Sequence, residues 1–212
     1  MNGFDPQVVI LGGGDYPSHE IPQQLLRKAK RVLCCDGAVF AFLRNGGVPW
    51  RIVGDCDSIK NPTSPADSAL LEPYRELIRH NPDQETNDQT KAVSYCREHG
   101  FTRLAIVGGT GRREDHTLGN ISLLATYLQM GLEVQMFTDH GVFIPCRDTF
   151  SATLPLSTQV SIFNISAQSF SSTGLRYPLY DFTQLWQGTL NENTQPEVTV
   201  NAKGIFLTYV CY

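Results

Sequence analysis

Long apolar runs are missing from this sequence. Stretches such as VVIL from Val8 and IFLTYV from Ile205 fall far short of the roughly 20 residues a membrane-crossing helix needs, so no span is expected. A surplus of positive charge is missing too: 17 Lys and Arg stand against 21 Asp and Glu, and a net charge of −4 leaves no basic footprint for nucleic acid. The 6 cysteines (Cys34, Cys35, Cys56, Cys96, Cys146 and Cys211) lack CxxC spacings, which argues against a zinc cluster. Several sit inside apolar runs, as buried thiols of a reducing compartment do. No basic segment followed by an apolar one opens the chain at MNGFDPQ, so no signal peptide is expected and the expected location is cytoplasmic. With 41% hydrophobic and 18% charged residues, the composition excludes disordered, collagen-like and coiled-coil chains.

What is present is an alternation of two periods. VVIL, RVLCC, RIVGD, RLAIVGG and EVQMF read as strands, and IPQQLLRKAK and GAVFAFLRN as helices. TNDQTKAVSYCREHG reads as a helix opened by a capping box from Thr86 to Gln89. The segment from Asp115 reads as a helix with the apolar stripe Leu118, Ile121, Leu124, Ala125 and Leu128, ended by Gly131. This βαβ order predicts an α/β fold whose N-terminal part is a parallel-sheet, Rossmann-like three-layer domain with ligands beyond the carboxyl ends of its strands. From Gly141 the runs VFIP, TFSATL, QVSIFNIS, EVTVNA and GIFLTYV predict a C-terminal antiparallel β-sandwich. The expected domains are therefore 1–140 and 141–212.

Acidic and glycine-rich clusters fall at the strand ends. Asp36-Gly37 follows the second strand, Asp55-Cys56-Asp57-Ser58 the third, and Glu85-Thr86-Asn87-Asp88 opens a helix. Gly108-Gly109-Thr110-Gly111-Arg112-Arg113-Glu114-Asp115-His116 joins a strand to the longest helix. Carboxylates converging on one rim repel unless a cation lies among them, and an all-oxygen set suits Mg²⁺. The alternative for GDCDS is an Asx turn. GGTGRRED is not a P-loop, since no Lys-Ser/Thr follows the glycines, yet it offers backbone amides and a helix N-terminus to a phosphate. Arg112 and Arg113 are either phosphate donors or a solvated pair. His116 and Asn120, one turn apart, either line the cleft or cap a buried polar contact.

Together CDGA (Cys35 to Ala38), GDCDS (Gly54 to Ser58), ETND with Lys91, GGTGRREDHTLGN (Gly108 to Asn120), GLRYPL (Gly174 to Leu179) and GTLNEN (Gly188 to Asn193) resemble the thiamine pyrophosphokinase family, in order, over nearly the whole chain. Four departures stand out: Cys56 at an aromatic position of the family, Glu85 where it has Asp, the extra Arg112, and Leu190 where it has Ser.

The resemblance implies Mg²⁺-dependent transfer of pyrophosphate from ATP to thiamine, by a homodimer with sites between subunits. It implies metal ligands Asp55, Asp57, Asp88 and Asp115, and catalytic roles for Asp57, Asp88, Arg113 and Asp115. ATP would be held by Asp36, Gly37, Gly108, Gly109, Thr110, Gly111, Arg113, His116 and Asn120, and thiamine by Glu85, Lys91, Tyr177 and Asn191. Rival classes are a pyrophosphokinase for another heterocyclic alcohol such as a pterin, a metal-dependent nucleotide hydrolase, and a nucleotide sensor.

Overall fold

Four apolar runs that have no polar alternation end up covered on both faces, as the interior strands of a parallel sheet must be. In the computed structural model, which describes residues 3–61 and 64–212, these are β1 (Val8–Leu11), β2 (Val32–Cys35), β3 (Arg51–Gly54) and β5 (Arg103–Val107). Val8, Ile10, Leu33, Ile52 and Ile106 are 0% exposed. β1 pairs in parallel with β2 on one side and β5 on the other, and β2 pairs with β3. The outer neighbour of β3 is β4 (Ile78–His80), which pairs in the same sense through Ile52 opposite Ile78.

The crossovers are α1 (Glu20–Lys28), α2 (Ala38–Arg44), α3 (Asp57–Lys60), α4 (Pro65–Leu71) and α5 (Asp88–Glu98), with a 3₁₀ turn at Glu72–Leu77. α5 packs on β1, β2 and β3 through its fully buried Ala92, Val93 and Cys96. Its start departs from the expected capping box. The cap is Asn87, whose side-chain oxygen accepts from the Thr90 N–H at 2.9 Å, while the Thr86 hydroxyl turns back to Asp83 at 2.6 Å. α4, capped by Ser64, and β4 lie in the polar stretch that carries Pro65 and Pro73. Pro62 of that stretch lies outside the described residues.

α6 (Glu114–Gln129) and β6 (Glu133–Phe137) follow β5. Leu124 and Tyr127 of α6 are 0% exposed, but Leu118 is 65% exposed, so the expected apolar stripe starts later than the periodicity suggests. The first two turns of α6 are polar and belong to the rim rather than to the core.

The antiparallel strands are β7 (Gly141–Thr153), β8 (Gln159–Asn164), β9 (Gln168–Thr173), β10 (Asn191–Glu192) and β11 (Glu197–Cys211). Two pairs of runs that read as separate strands are continuous: VFIP with TFSAT in β7, and EVTVNA with GIFLTYV in β11. Both long strands kink at one level, where Asp148 (φ 64°) accepts the Gly204 N–H (φ 125°) at 2.8 Å. A Cβ on Gly204 would strike the backbone of Ser166 and Ala167, which fixes glycine there. Beyond the kink β11 pairs with β8 at Phe206 to Val210, and before it with β9 at Thr199 to Lys203.

The chain divides into two compact units, one of Pro6–Leu123 with Met136–Asp139, the other of the residues up to Asp5, Leu124–Gln135 and His140–Tyr212. Among the described residues no helix is long and apolar enough to cross a membrane. Five of the six cysteines are buried and all are free thiols, and burial pushes the Cys96 thiol up to about 12 and that of Cys146 up to about 11.

Candidate active site

At the carboxyl end of β2 the chain turns through Asp36, which has φ 37° and is 6% exposed. Gly54, at the end of β3, makes room for it: a Cβ there would come within 2.8 Å of the Asp36 Cβ. Asp36 Oδ2 accepts the Ser58 N–H at 3.1 Å, and its buried Oδ1 accepts no hydrogen bond from the described residues. Asp55 follows β3. Its Oδ1 accepts the Asp57 N–H at 3.1 Å, so the Asx turn is formed and it launches α3. Cys56, between them, is left-handed (φ 65°) and buried.

Asp88 is the first residue of α5. Its Oδ1 lies 3.2 Å from the ammonium of Lys91, which is 4% exposed. Burial raises the Asp88 pKa, the Lys91 hydrogen bond and charge oppose that rise, and Asp55 and Asp36 add to it. Ligand oxygens of Asp36, Asp55 and Asp88 all lie within 4.8 Å of one another. An orphaned buried carboxylate oxygen costs free energy unless a donor or cation meets it, and hard oxygen donors at this spacing fit a divalent cation such as Mg²⁺.

The geometry separates the remaining predicted acids from this trio. Asp57 is exposed in the first turn of α3. Asp115 is exposed and engaged by Arg113, with Nε to Oδ1 at 3.1 Å and a second bond to Oδ2 at 2.5 Å. That hydrogen bond first, and the charge of Arg113 with it, hold Asp115 below the usual carboxylate range. Glu85 is exposed, and the loop carrying it is held by Asp83, whose carboxylate accepts from the Glu85 N–H and the Thr86 hydroxyl. Lys91, grouped above with thiamine, is spent on Asp88.

The loop at Gly108–Gly111 is braced from behind by the turn after β1: Gly14 N–H donates to Gly108 O at 2.8 Å and Asp15 N–H to Thr110 O at 2.9 Å. Left-handed Gly108, Gly111 and Arg112 (φ 62°, 84° and 60°) shape it. Arg112 sits 3.8 Å from Asp15. His116 is exposed, its N–H on Asp115 Oδ1, whereas half-buried Asn120 ties two loops together: Nδ2 donates to Gly109 O and Oδ1 accepts from Asn87 Nδ2, both at 2.8 Å. Gly37 starts α2 against the Ser58 side chain. Asp36, expected with the nucleotide, stands with the metal-type acids, and Asp83 and Asn87 join the site as residues the sequence motifs do not single out. An Asn followed by an Asp at a helix start is the capping signal that finds Asn87.

In the antiparallel unit a concavity of about 170 Å³ is lined by Tyr177, Tyr180, Phe182, Leu190 and Asn191 among others. Tyr177 is 59% exposed and Leu190 77%. Asn191 is 4% exposed and faces the backbone of Tyr177.

An acidic cluster beyond the carboxyl ends of parallel strands, beside a glycine-rich turn into a helix, defines a ligand-binding α/β protein. Residues 22–136 match the family described as thiamin pyrophosphokinase, catalytic domain, and residues 141–209 the one described as thiamin pyrophosphokinase, substrate-binding domain. The chain belongs to the thiamin pyrophosphokinase family, a family of enzymes. It is 28% identical over 172 residues to thiamin pyrophosphokinase 1 of Caenorhabditis elegans, covering 74% of this chain and 68% of that one. The fold is that of thiamine pyrophosphokinase from Bacillus subtilis (TM-score 0.80, 19% identity, 96% and 98% of the two chains). It is equally that of the yeast enzyme (TM-score 0.78, 15% identity, 100% and 88%).

Proposed function

We propose that this protein transfers the pyrophosphoryl group of ATP to the hydroxyl of thiamine, giving thiamine diphosphate and AMP. The observation that carries the reading is the trio Asp36, Asp55 and Asp88 with ligand oxygens within 4.8 Å, in a chain of this family. These three would hold Mg²⁺, which when bound offsets the charge of the phosphates. Asp57, exposed next to the trio in sequence, is the acid left to meet the metal from the substrate side. Arg113, kept in place by Asp115, exchanges that carboxylate for phosphate oxygens, and the Gly108–Gly111 amides and the α6 N-terminus receive the rest.

The thiamine oxygen attacks the β-phosphorus in line, the bond from that phosphorus to the AMP oxygen breaks, and the hydroxyl proton passes to a rim carboxylate. The segment 141–212 supplies the acceptor half, with Tyr177 offering a π-face to the cationic thiazolium. The exposed apolar side chains of Tyr177, Leu185, Trp186 and Leu190 in this unit support covering by a second copy, so the active form is proposed as a homodimer. Buried free thiols support a cytoplasmic location.

The test is purified protein with ATP, Mg²⁺ and thiamine, with AMP resolved from ADP. Equal amounts of AMP and thiamine diphosphate are expected, abolished by EDTA. Thiamine monophosphate with ADP would overturn the reading, and AMP without any acceptor would make the protein a hydrolase.

A further inference from the structure

Two segments of the antiparallel unit zip together and then stop. Leu175 bridges Asn193, and the Arg176 N–H donates to the Glu192 carbonyl at 2.9 Å, reinforced by an ion pair between the two side chains. The next residue, Tyr177, has left regular structure, and Pro178 has no N–H with which to continue a ladder. At this point a side chain takes over from the strand. Asn191 Oδ1 accepts the Tyr177 N–H at 3.1 Å and Nδ2 donates to the Tyr177 carbonyl at 2.7 Å. That is the double exchange of an antiparallel residue pair, made by one amide. The same Oδ1 also accepts the Glu192 N–H at 2.9 Å, which fills the acceptor capacity of the oxygen.

Burial and alternation agree with this role. Asn191 is 4% exposed, while its neighbour Leu190, left-handed at φ 60°, is turned out and 77% exposed. The side chain turned outward at the start of this strand is therefore Leu190, just before it, and the one turned to the Tyr177 backbone is Asn191. We infer that Asn191 is a positioning residue: it clamps the backbone of Tyr177, fixes how the aromatic ring is presented, and affects acceptor affinity only through that ring. The inference rests on the acceptor assignment made above for this concavity.

A double-mutant cycle tests it, with hydrogen exchange as a readout independent of activity. Asn191→Ala should raise the KM for thiamine about five- to thirtyfold, the loss of its two hydrogen bonds to Tyr177, and leave kcat and the KM for ATP in place. In a Tyr177→Ala background the same change should add nothing, and an additive effect would overturn the inference. Asn191→Asp keeps size and fold but sets a carboxylate oxygen against the Tyr177 carbonyl, so it should raise the KM as Ala does. A lowered KM would mean direct contact with the thiazolium cation and would also overturn it. The Tyr177 amide should exchange slowly in the wild type and fast in Asn191→Ala, and equal rates would refute the clamp whatever the acceptor is. A wild type that protects this amide yet releases no AMP with thiamine would uphold the clamp and sink the acceptor assignment.

Discussion

Lys91 Nζ and Asp88 Oδ1 meet at 3.2 Å on successive turns of α5, the lysine side chain 3% exposed and the aspartate 33%. A buried ammonium beside a carboxylate trio acts as an internal counter-charge. It lets Asp36, Asp55 and Asp88 stand within 4.8 Å of one another.

Lys91→Met removes that counter-charge. Because Asp88 keeps partial contact with water, the cost in metal-free protein should be about 2 kcal/mol, less than for a fully buried pair, or a fall in Tm of roughly 4–8 °C. Mg²⁺ should then raise the Tm by more than it does in the wild type, since the cation replaces the missing charge. Equal Mg²⁺-induced shifts in both proteins would show that Lys91 does not serve the trio.

Asp36→Asn and Asp57→Asn should separate the two sides of the site. The first removes charge at the orphaned oxygen and should weaken Mn²⁺ binding, followed by electron paramagnetic resonance without substrate, by about tenfold or more. The second changes an exposed acid and should leave substrate-free metal binding within a few-fold of normal while turnover collapses. Equal loss of Mn²⁺ binding in both would bring Asp57 into direct ligation.

Tyr177→Ala should raise the KM for thiamine about tenfold, the worth of a cation–π contact, with the KM for ATP little changed. Mixed with Asp57→Asn under subunit exchange, it should yield a fraction of sites with the wild-type KM for thiamine if each site draws its two halves from different chains. Mixed dimers that show only the raised KM would place both halves in one chain.

Asp83 gives a pH signature. Its carboxylate accepts from Thr86 and then from the Glu85 N–H, which lowers its pKa from 3.8. A carboxylate with a depressed folded pKa contributes stability above the unfolded value and loses it as the pH falls through the folded one. Asp83→Ala should therefore lower the Tm at pH 7, and the gap to wild type should close as the pH drops below the ordinary carboxylate range. A gap that persists in acid would rule out the ionised form as the brace of this loop.

The elements legible from sequence are those whose signal is local. VVIL and RLAIV announce interior strands because burial on both faces demands unbroken apolar side chains, and Ala92, Val93 and Cys96 lie where the helical period puts them. β4 was hidden because Ile78–His80 is held by its pairing with β3 rather than by its own polar sequence. The separate runs of β7 and β11 looked like four strands because Asp148 and Gly204 read as turn residues, and in the fold they make a shared kink instead. Thr86 looked like the cap of α5 until Asp83 claimed its hydroxyl.

For the site, the sequence by itself determined the cast: acids and glycines after strand ends, Arg113 at a helix start, an aromatic in GLRYPL. Those types follow from chemistry that needs oxygen ligands, close backbone approach and a π-face, and each is readable one residue at a time. Which acids share a cation was decided only by the tertiary structure. Asp36 and Asp88 are 52 positions apart in the numbering and meet because β2 ends and α5 begins at the same rim, whereas Asp57, two residues from Asp55, is carried off by the first turn of α3. Asn191 likewise became a clamp rather than a ligand because folding turned its amide inward onto the Tyr177 backbone. Spacing along the chain does not encode which oxygens come within a few ångströms; the register of the sheet and the direction of each side chain do.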